Sequence, residues 1–187
     1  MKIFKNFFKK LKSLLIFPIE LIPCFEKPLP SKPFGNKPLG NKEEYKYLYE
    51  KSKEDTYPII DKIERDSGFS IDKKWFYDLA LHTQVVKKKK KLNYSHGRLL
   101  YSYLCEYIKE YSSKENNAVF IFETGTARGF SSICMAKALT DMKKEGFILT
   151  LDCIAHNEKM FWNCIDDAEG PSTRAELLSK WEKELSK

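Results

Sequence analysis

An α/β fold with a helical N-terminal region is predicted by three observations on this 187-residue chain. Two short apolar runs, Ala118 to Phe122 and Phe147 to Leu151, have the length and β-forming composition of strands. Between them lie a glycine-bearing turn, Glu123-Thr124-Gly125-Thr126-Ala127-Arg128-Gly129, and a segment in which Phe130, Ile133, Cys134 and Ala138 follow helical spacing. Upstream, from Glu43 to Tyr111, the apolar residues keep a helical period. Strand, turn, helix and strand in that order make a βαβ unit with parallel strands. The unbroken apolarity of the first run predicts a strand covered on both faces.

Taken from the N-terminus, residues 1–17 place Ile3, Phe4, Phe7, Phe8, Leu11, Leu14 and Leu15 on one helical face and lysines on the other. Such a basic amphipathic helix suits a membrane surface, or docking on a protein. Pro18, Glu20 and Pro23 interrupt the apolar run well short of the ~20 residues needed to span a bilayer. Lysines up to position 12, with no small-residue cleavage site after them, argue against a signal peptide. The basic helix is assigned to 1–22, and residues 23–42, rich in proline and glycine, read as a linker or extended arm.

Helical character resumes from Glu43 to Lys53, breaks at Tyr57-Pro58 and returns over Ile59 to Asp66. Two further helices are predicted, over Ser70 to Val86 and Leu92 to Tyr111, on either side of five consecutive lysines, Lys87 to Lys91. In the second, Leu99, Leu100, Tyr103, Leu104, Tyr107 and Ile108 form the stripe expected to cover the sheet. The lysine run reads as a solvated turn or as an attractor of anionic groups. After Asp152, Met160, Phe161, Trp162 and Ile165 suggest another helical piece, followed by the acidic loop Asp166-Asp167-Ala168-Glu169. A last helix opens at Ser172 or Thr173, with Glu176 placed for a capping box with Thr173. The helical N-terminal region thus spans 43–117 and the βαβ part 118–187.

The turn and the end of the second strand carry the chemistry. Gly125 and Gly129 let backbone approach a ligand closely, and the amides opening the next helix favour a polar or anionic group. Asp152, at the tip of the second strand, can accept hydrogen bonds from ribose hydroxyls. The G-x-x-x-G spacing is not that of NAD or FAD binders, and no Lys-Ser/Thr pair follows as in a P-loop.

On these residues the chain resembles the class I S-adenosylmethionine-dependent methyltransferases. The pattern Glu123, Gly125, Gly129, Ser131 looks like the small-molecule O-methyltransferase form of their first motif. The stretch from Leu151 to Leu178 is similar to a bacterial branch of sugar and natural-product methyltransferases and cephalosporin hydroxylase-like relatives. The likeness runs from about Trp75 onward, most specifically from Phe120 to Leu178. It implies a Rossmann-like methyltransferase sheet and S-adenosyl-L-methionine as cofactor. Gly125, Thr126, Gly129 and Ser131 would then shape the cofactor loop, with Glu123 facing the methionine end and Asp152 the ribose. It also adds His96, in Asn93-Tyr94-Ser95-His96-Gly97-Arg98, together with Cys153 and Trp162, whose indole could stack on adenine or close the core. The implied reaction is O-methylation of a small molecule or sugar hydroxyl; no residue stands where a catalytic base is expected.

Composition bounds the alternatives. A hydrophobic share of 42% with 14% aromatics describes a folded chain. The net charge of +7 is concentrated: residues 1–22 hold +4 and Lys87 to Lys91 hold +5, which leaves the remainder at −2. Basicity so confined argues against nucleic-acid binding. Five irregularly spaced cysteines, without C-x-x-C, support neither a disulfide framework nor a metal site and suit a reducing cytoplasm, with a peripheral membrane contact through residues 1–17. Cys134 and Cys153 read as small hydrophobes beside the sheet. Only two strands are evident, whereas a doubly wound sheet needs more. The chain therefore reads as a truncated form, the N-terminal portion of such an enzyme. Alone it is expected to bind cofactor weakly if at all and not to catalyse efficiently. The alternatives are a non-catalytic fragment, with a completing partner chain or a homo-oligomer as candidate partners, and a peripheral membrane-associated module.

Overall fold

The computed structural model describes residues 32–112 and 118–185; the amphipathic segment 1–17 lies outside them. Among the described residues four helices precede the sheet: α1 (Lys42–Lys53), α2 (Pro58–Ser67), α3 (Lys73–Thr83) and α4 (His96–Tyr107), the last running into a π turn, Ile108–Ser112. Local signals set their ends. Asn41 and Glu44 form a capping box at the start of α1, Pro58 opens α2 and Gly68 closes it at φ +76°, and Asp72 caps α3 through the Trp75 N–H.

Strand β1 (Val119–Thr124), helix α5 (Phe130–Asp141) and strand β2 (Gly146–Leu151) follow. The strands are parallel and in direct register, Phe120 opposite Phe147 and Thr124 opposite Leu151. Among the described residues this two-stranded sheet is the whole of the β structure, apart from a bridge between Met160 and Ser172. The chain ends in a 3₁₀ turn (Ile165–Glu169), α6 (Arg174–Leu178), a second 3₁₀ turn (Ser179–Trp181) and α7 (Glu182–Leu185).

The main core joins the N-terminal helices to the βαβ unit. Tyr45, Phe76, Leu79, Tyr94 and Tyr101 pack with Phe130, Ile133 and Cys134 of α5 and with Trp181. Gly97 is what lets α4 and α5 meet: a Cβ there would lie 2.6 Å from Phe130 Cζ. That approach sets the rotation of α4. The buried positions of α4 are Gly97, Tyr101, Ser102 and Cys105; of the predicted stripe, Leu104 and Ile108 meet the sheet as expected, whereas Tyr103 and Tyr107 face solvent. Arg98 fixes α4 to α2 through Glu64, at 2.9 Å from its Nε, and through Asp61, at 2.5 Å from Nη2.

The sheet departs from expectation in a second way. Its inner face, Val119, Ile121 and Ile148, packs on Leu104, Leu139 and Met142. Its outer face is exposed: Phe120, Phe122, Phe147, Leu149 and Leu151 are 41–61% accessible. The first strand is therefore covered on one face, because the helices on both sides of it in sequence fall on the same side of the sheet.

The segment after β2 is not helical until Ile165. Met160 bridges Ser172 in both directions at 3.0 Å, and Asn163 adopts φ +54°, which a continuing helix excludes. Its apolar residues instead build a second cluster of Met160, Trp162, Cys164 and Leu177 with Phe34. The capping box at α6 forms as predicted, Thr173 Oγ1 accepting from the Glu176 N–H.

Candidate functional site

The turn between β1 and α5 is built by three positive-φ residues at alternate positions. Gly125 has φ +82° and extends the strand pairing by donating its N–H to Leu151 O at 2.7 Å. Ala127 takes φ +45°, and Gly129 φ +75° at the N-cap of α5. The Gly129 N–H donates to Thr126 O at 2.7 Å, closing the turn over a buried Thr126 side chain. The two glycines have different surroundings. A Cβ at Gly125 would meet nothing within 4 Å, whereas one at Gly129 would lie 2.7 Å from Leu178 Cδ2. Gly125 thus borders open space, and Gly129 borders the last helices.

Both strand tips carry an acid, and their environments pull the two apart. Glu123 is half-buried and its carboxylate accepts the Ser132 hydroxyl. Burial pushes its pKa up, against the bonds from Ser132 and Ser131, and the Asp152 charge adds to the rise. The Asp152 carboxylate is 6% exposed. Burial raises it, but the donors around it outweigh burial: the Ile154 N–H at 2.9 Å, the Ala127 N–H at 2.5 Å and Arg174 Nη2 at 3.0 Å hold it below the usual value.

Arg174 is the residue that sequence reasoning missed. Its guanidinium joins Asp152 to two backbone carbonyls, Ala127 O at 2.8 Å and Ile154 O at 3.1 Å, over the Trp162 ring at 5.6 Å. Its side chain is 5% exposed. A signal was present. The chain has 33 Lys and Arg, of which only Arg65, Arg98, Arg128 and Arg174 are arginine. Three of these hold several acceptors at once, the role that a planar guanidinium fills and an ammonium does not. Arg128 is the third: its Nε donates to Trp162 O at 2.6 Å and its guanidinium lies over Phe34, and burial lowers its pKa.

The expected site residues fall into two groups. Glu123, Gly125, Thr126, Gly129 and Ser131 come together around the N-terminus of α5, where no side chain caps the helix. His96 joins them at the first turn, its exposed ring edge-on to Phe130 at 5.1 Å and its pKa lowered by partial desolvation. The remaining three are placed differently from these and from one another. Asp152 is next to the loop, but both its oxygens are engaged internally. Trp162 is fully buried and donates its indole N–H to Ser172 O at 2.8 Å, so it closes the core and supports Arg174 instead of offering a stacking face. Cys153 is exposed, unlike Cys134, which is buried against Gly97; strand β2 ends before it.

The acidic loop is occupied by protein partners. Asp166 binds His82 Nδ1 and Lys180 Nζ, each at 2.7 Å, and Asp167 accepts from the N–H groups of Trp162 and Cys164. No family model, curated protein or solved structure matches the chain.

Proposed function

We propose that the loop between β1 and α5 binds S-adenosyl-L-methionine, and that the chain supplies the cofactor-binding part of a Rossmann-like, class I methyltransferase acting on a hydroxyl of a small molecule or sugar. One observation carries the reading: two parallel strands end side by side in acids of opposite pKa tendency, flanking a glycine turn and an uncapped helix N-terminus. Fit to the cofactor is uneven. Gly125 borders open space and admits a ligand against the backbone, and Glu123 with the α5 amides offers a polar cradle for an ammonium and a carboxylate. Asp152 fits a ribose only when Arg174 releases it, since its carboxylate is closed on every side by protein donors. Bound there, the sulfonium would supply an electrophilic methyl group. No described residue is assigned as the base.

The same ion pair favours a second reading, a non-catalytic βαβ unit in which Arg174 holds the turn permanently. Calorimetric titration of S-adenosyl-L-methionine separates the two. Binding by the parent chain that disappears in Asp152→Ala and in Gly125→Val supports the cofactor site. Absence of heat in the parent, and in an Arg174→Met variant that unlocks the acid, leaves the second reading standing.

A further inference from the structure

A cavity of about 420 Å³ opens between the C-terminal half of α1 and the lysine loop, in the size range of small-ligand sites. Lys51, Lys88, Lys89, Lys90 and Lys91 line it against two carboxylates, Glu54 and Asp55, a formal excess of +3. Leu48, Val86 and Leu92 give it an apolar floor. A solvated loop would spread its cations outward into water; these surround a concavity, where their fields add.

Local partners account for only some of the charge. Lys51 sits in the last turn of α1, favoured by the helix dipole, and lies 6.0 Å from the Tyr47 ring centroid. Lys91 pairs with Asp55 at 2.5 Å. Among the described residues, Lys88, Lys89 and Lys90 pair with no acid. The loop is nonetheless held in place. Asn163 accepts the Lys87 N–H and donates to Lys87 O, both at 3.0 Å, Lys87 Nζ reaches Glu44 at 2.7 Å, and Leu92 is buried at the far end. A loop anchored at both ends therefore carries three exposed lysines, with no acidic partner among the described residues, around one pocket.

We propose that this cavity binds a multiply charged phosphate group, carried by a soluble diphosphate or by a lipid headgroup. The phosphate oxygens take Lys88, Lys89 and Lys90 as partners, and the apolar floor receives the organic part of the ligand. Raising the salt weakens the interaction.

The test uses the full chain with two probes: inorganic pyrophosphate by calorimetry, and co-sedimentation with phosphatidylcholine vesicles with and without phosphatidylinositol bisphosphate. A triple variant, Lys88→Gln, Lys89→Gln, Lys90→Gln, is compared with a charge-matched control, Lys37→Gln, Lys46→Gln, Lys74→Gln, at exposed positions outside the cavity. The expected result is binding by the parent that falls at least about tenfold in the first triple and persists in the control. Pyrophosphate binding with that pattern assigns a soluble ligand, and binding only to bisphosphate vesicles assigns a headgroup. The proposal is overturned when neither probe binds, when the first triple binds like the parent, or when the control loses as much.

Discussion

Replacing Arg174 with alanine tests how the turn between β1 and α5 is held. The guanidinium lies 3.0 Å from the Asp152 carboxylate, and both side chains are about 5–6% exposed. At an effective dielectric constant of about 20 the Coulomb attraction at that distance is about 5 kcal/mol before desolvation is subtracted. Breaking such a pair from one side typically costs about 3 kcal/mol or more, because the other charge stays buried. Here Ala127 O and Ile154 O also lose their donors, while the exposed turn allows water to replace part of them. A net loss near 3 kcal/mol is expected, lowering Tm by about 10 °C in a chain of this size. Asp152→Asn, Arg174→Met and the double variant complete a cycle by urea denaturation, with the double costing about 2 kcal/mol less than the sum of the singles. A loss below about 1 kcal/mol for Arg174→Ala, or strict additivity in the cycle, would refute the ion pair as the clamp of this turn.

Other consequences follow from the same structure. Asp152 and Asp166 have folded pKa values below their ordinary 3.8, so their stabilisation is full above that pH and lost as pH falls through the lowered values. Asp166→Asn should flatten the acid limb of a plot of denaturation midpoint against pH. Glu123 is raised, so its contribution is present below its ordinary 4.5 and lost as pH rises through the folded value; Glu123→Gln should therefore match or exceed the parent in stability at neutral pH. Gly129→Ala should cost more than Gly125→Ala in chemical denaturation, since both positions have positive φ but only Gly129 adds a clash, with Leu178. On the sheet, Phe122→Ser should lower stability by under about 1 kcal/mol and raise solubility. Ile133→Ala, at a fully buried position of α5, should cost about 2–4 kcal/mol.

The βαβ unit was legible in the sequence because each element has its own signal: β1 and β2 lie within two residues of the apolar runs, and α5 begins at Phe130 as the change of period indicates. Which faces are covered was not legible. The apolar run of β1 fits a strand covered on one face or on two, and here Phe120 and Phe122 remain outside. In α4 the apolar residues wrap a broad arc, so counting them cannot choose the buried face. The decision comes from Gly97, whose missing side chain admits Phe130. The stretch from Met160 to Ile165 has helical spacing, but the bridge to Ser172 and the left-handed Asn163 override it.

The candidate site was legible in its glycines and strand-tip acids, which are local in sequence. Its clamp was not. Arg174 lies 22 residues from Asp152 and meets it only because the irregular segment folds back on the turn. The lysine run shows the same division. Its charge is plain from the sequence, whereas the concavity it lines requires α1 to stand beside it.

The most direct test is amide mapping by NMR during titration with S-adenosylhomocysteine, which carries the adenosine and amino-acid groups without the reactive methyl. Saturable shifts confined to Glu123–Ser132 and Asp152–Ile154, with Arg174 Nε–H released from Ala127, are the expected result. No saturable shift at the turn, or shifts gathered instead around Lys88–Lys91, would contradict cofactor binding at the strand tips.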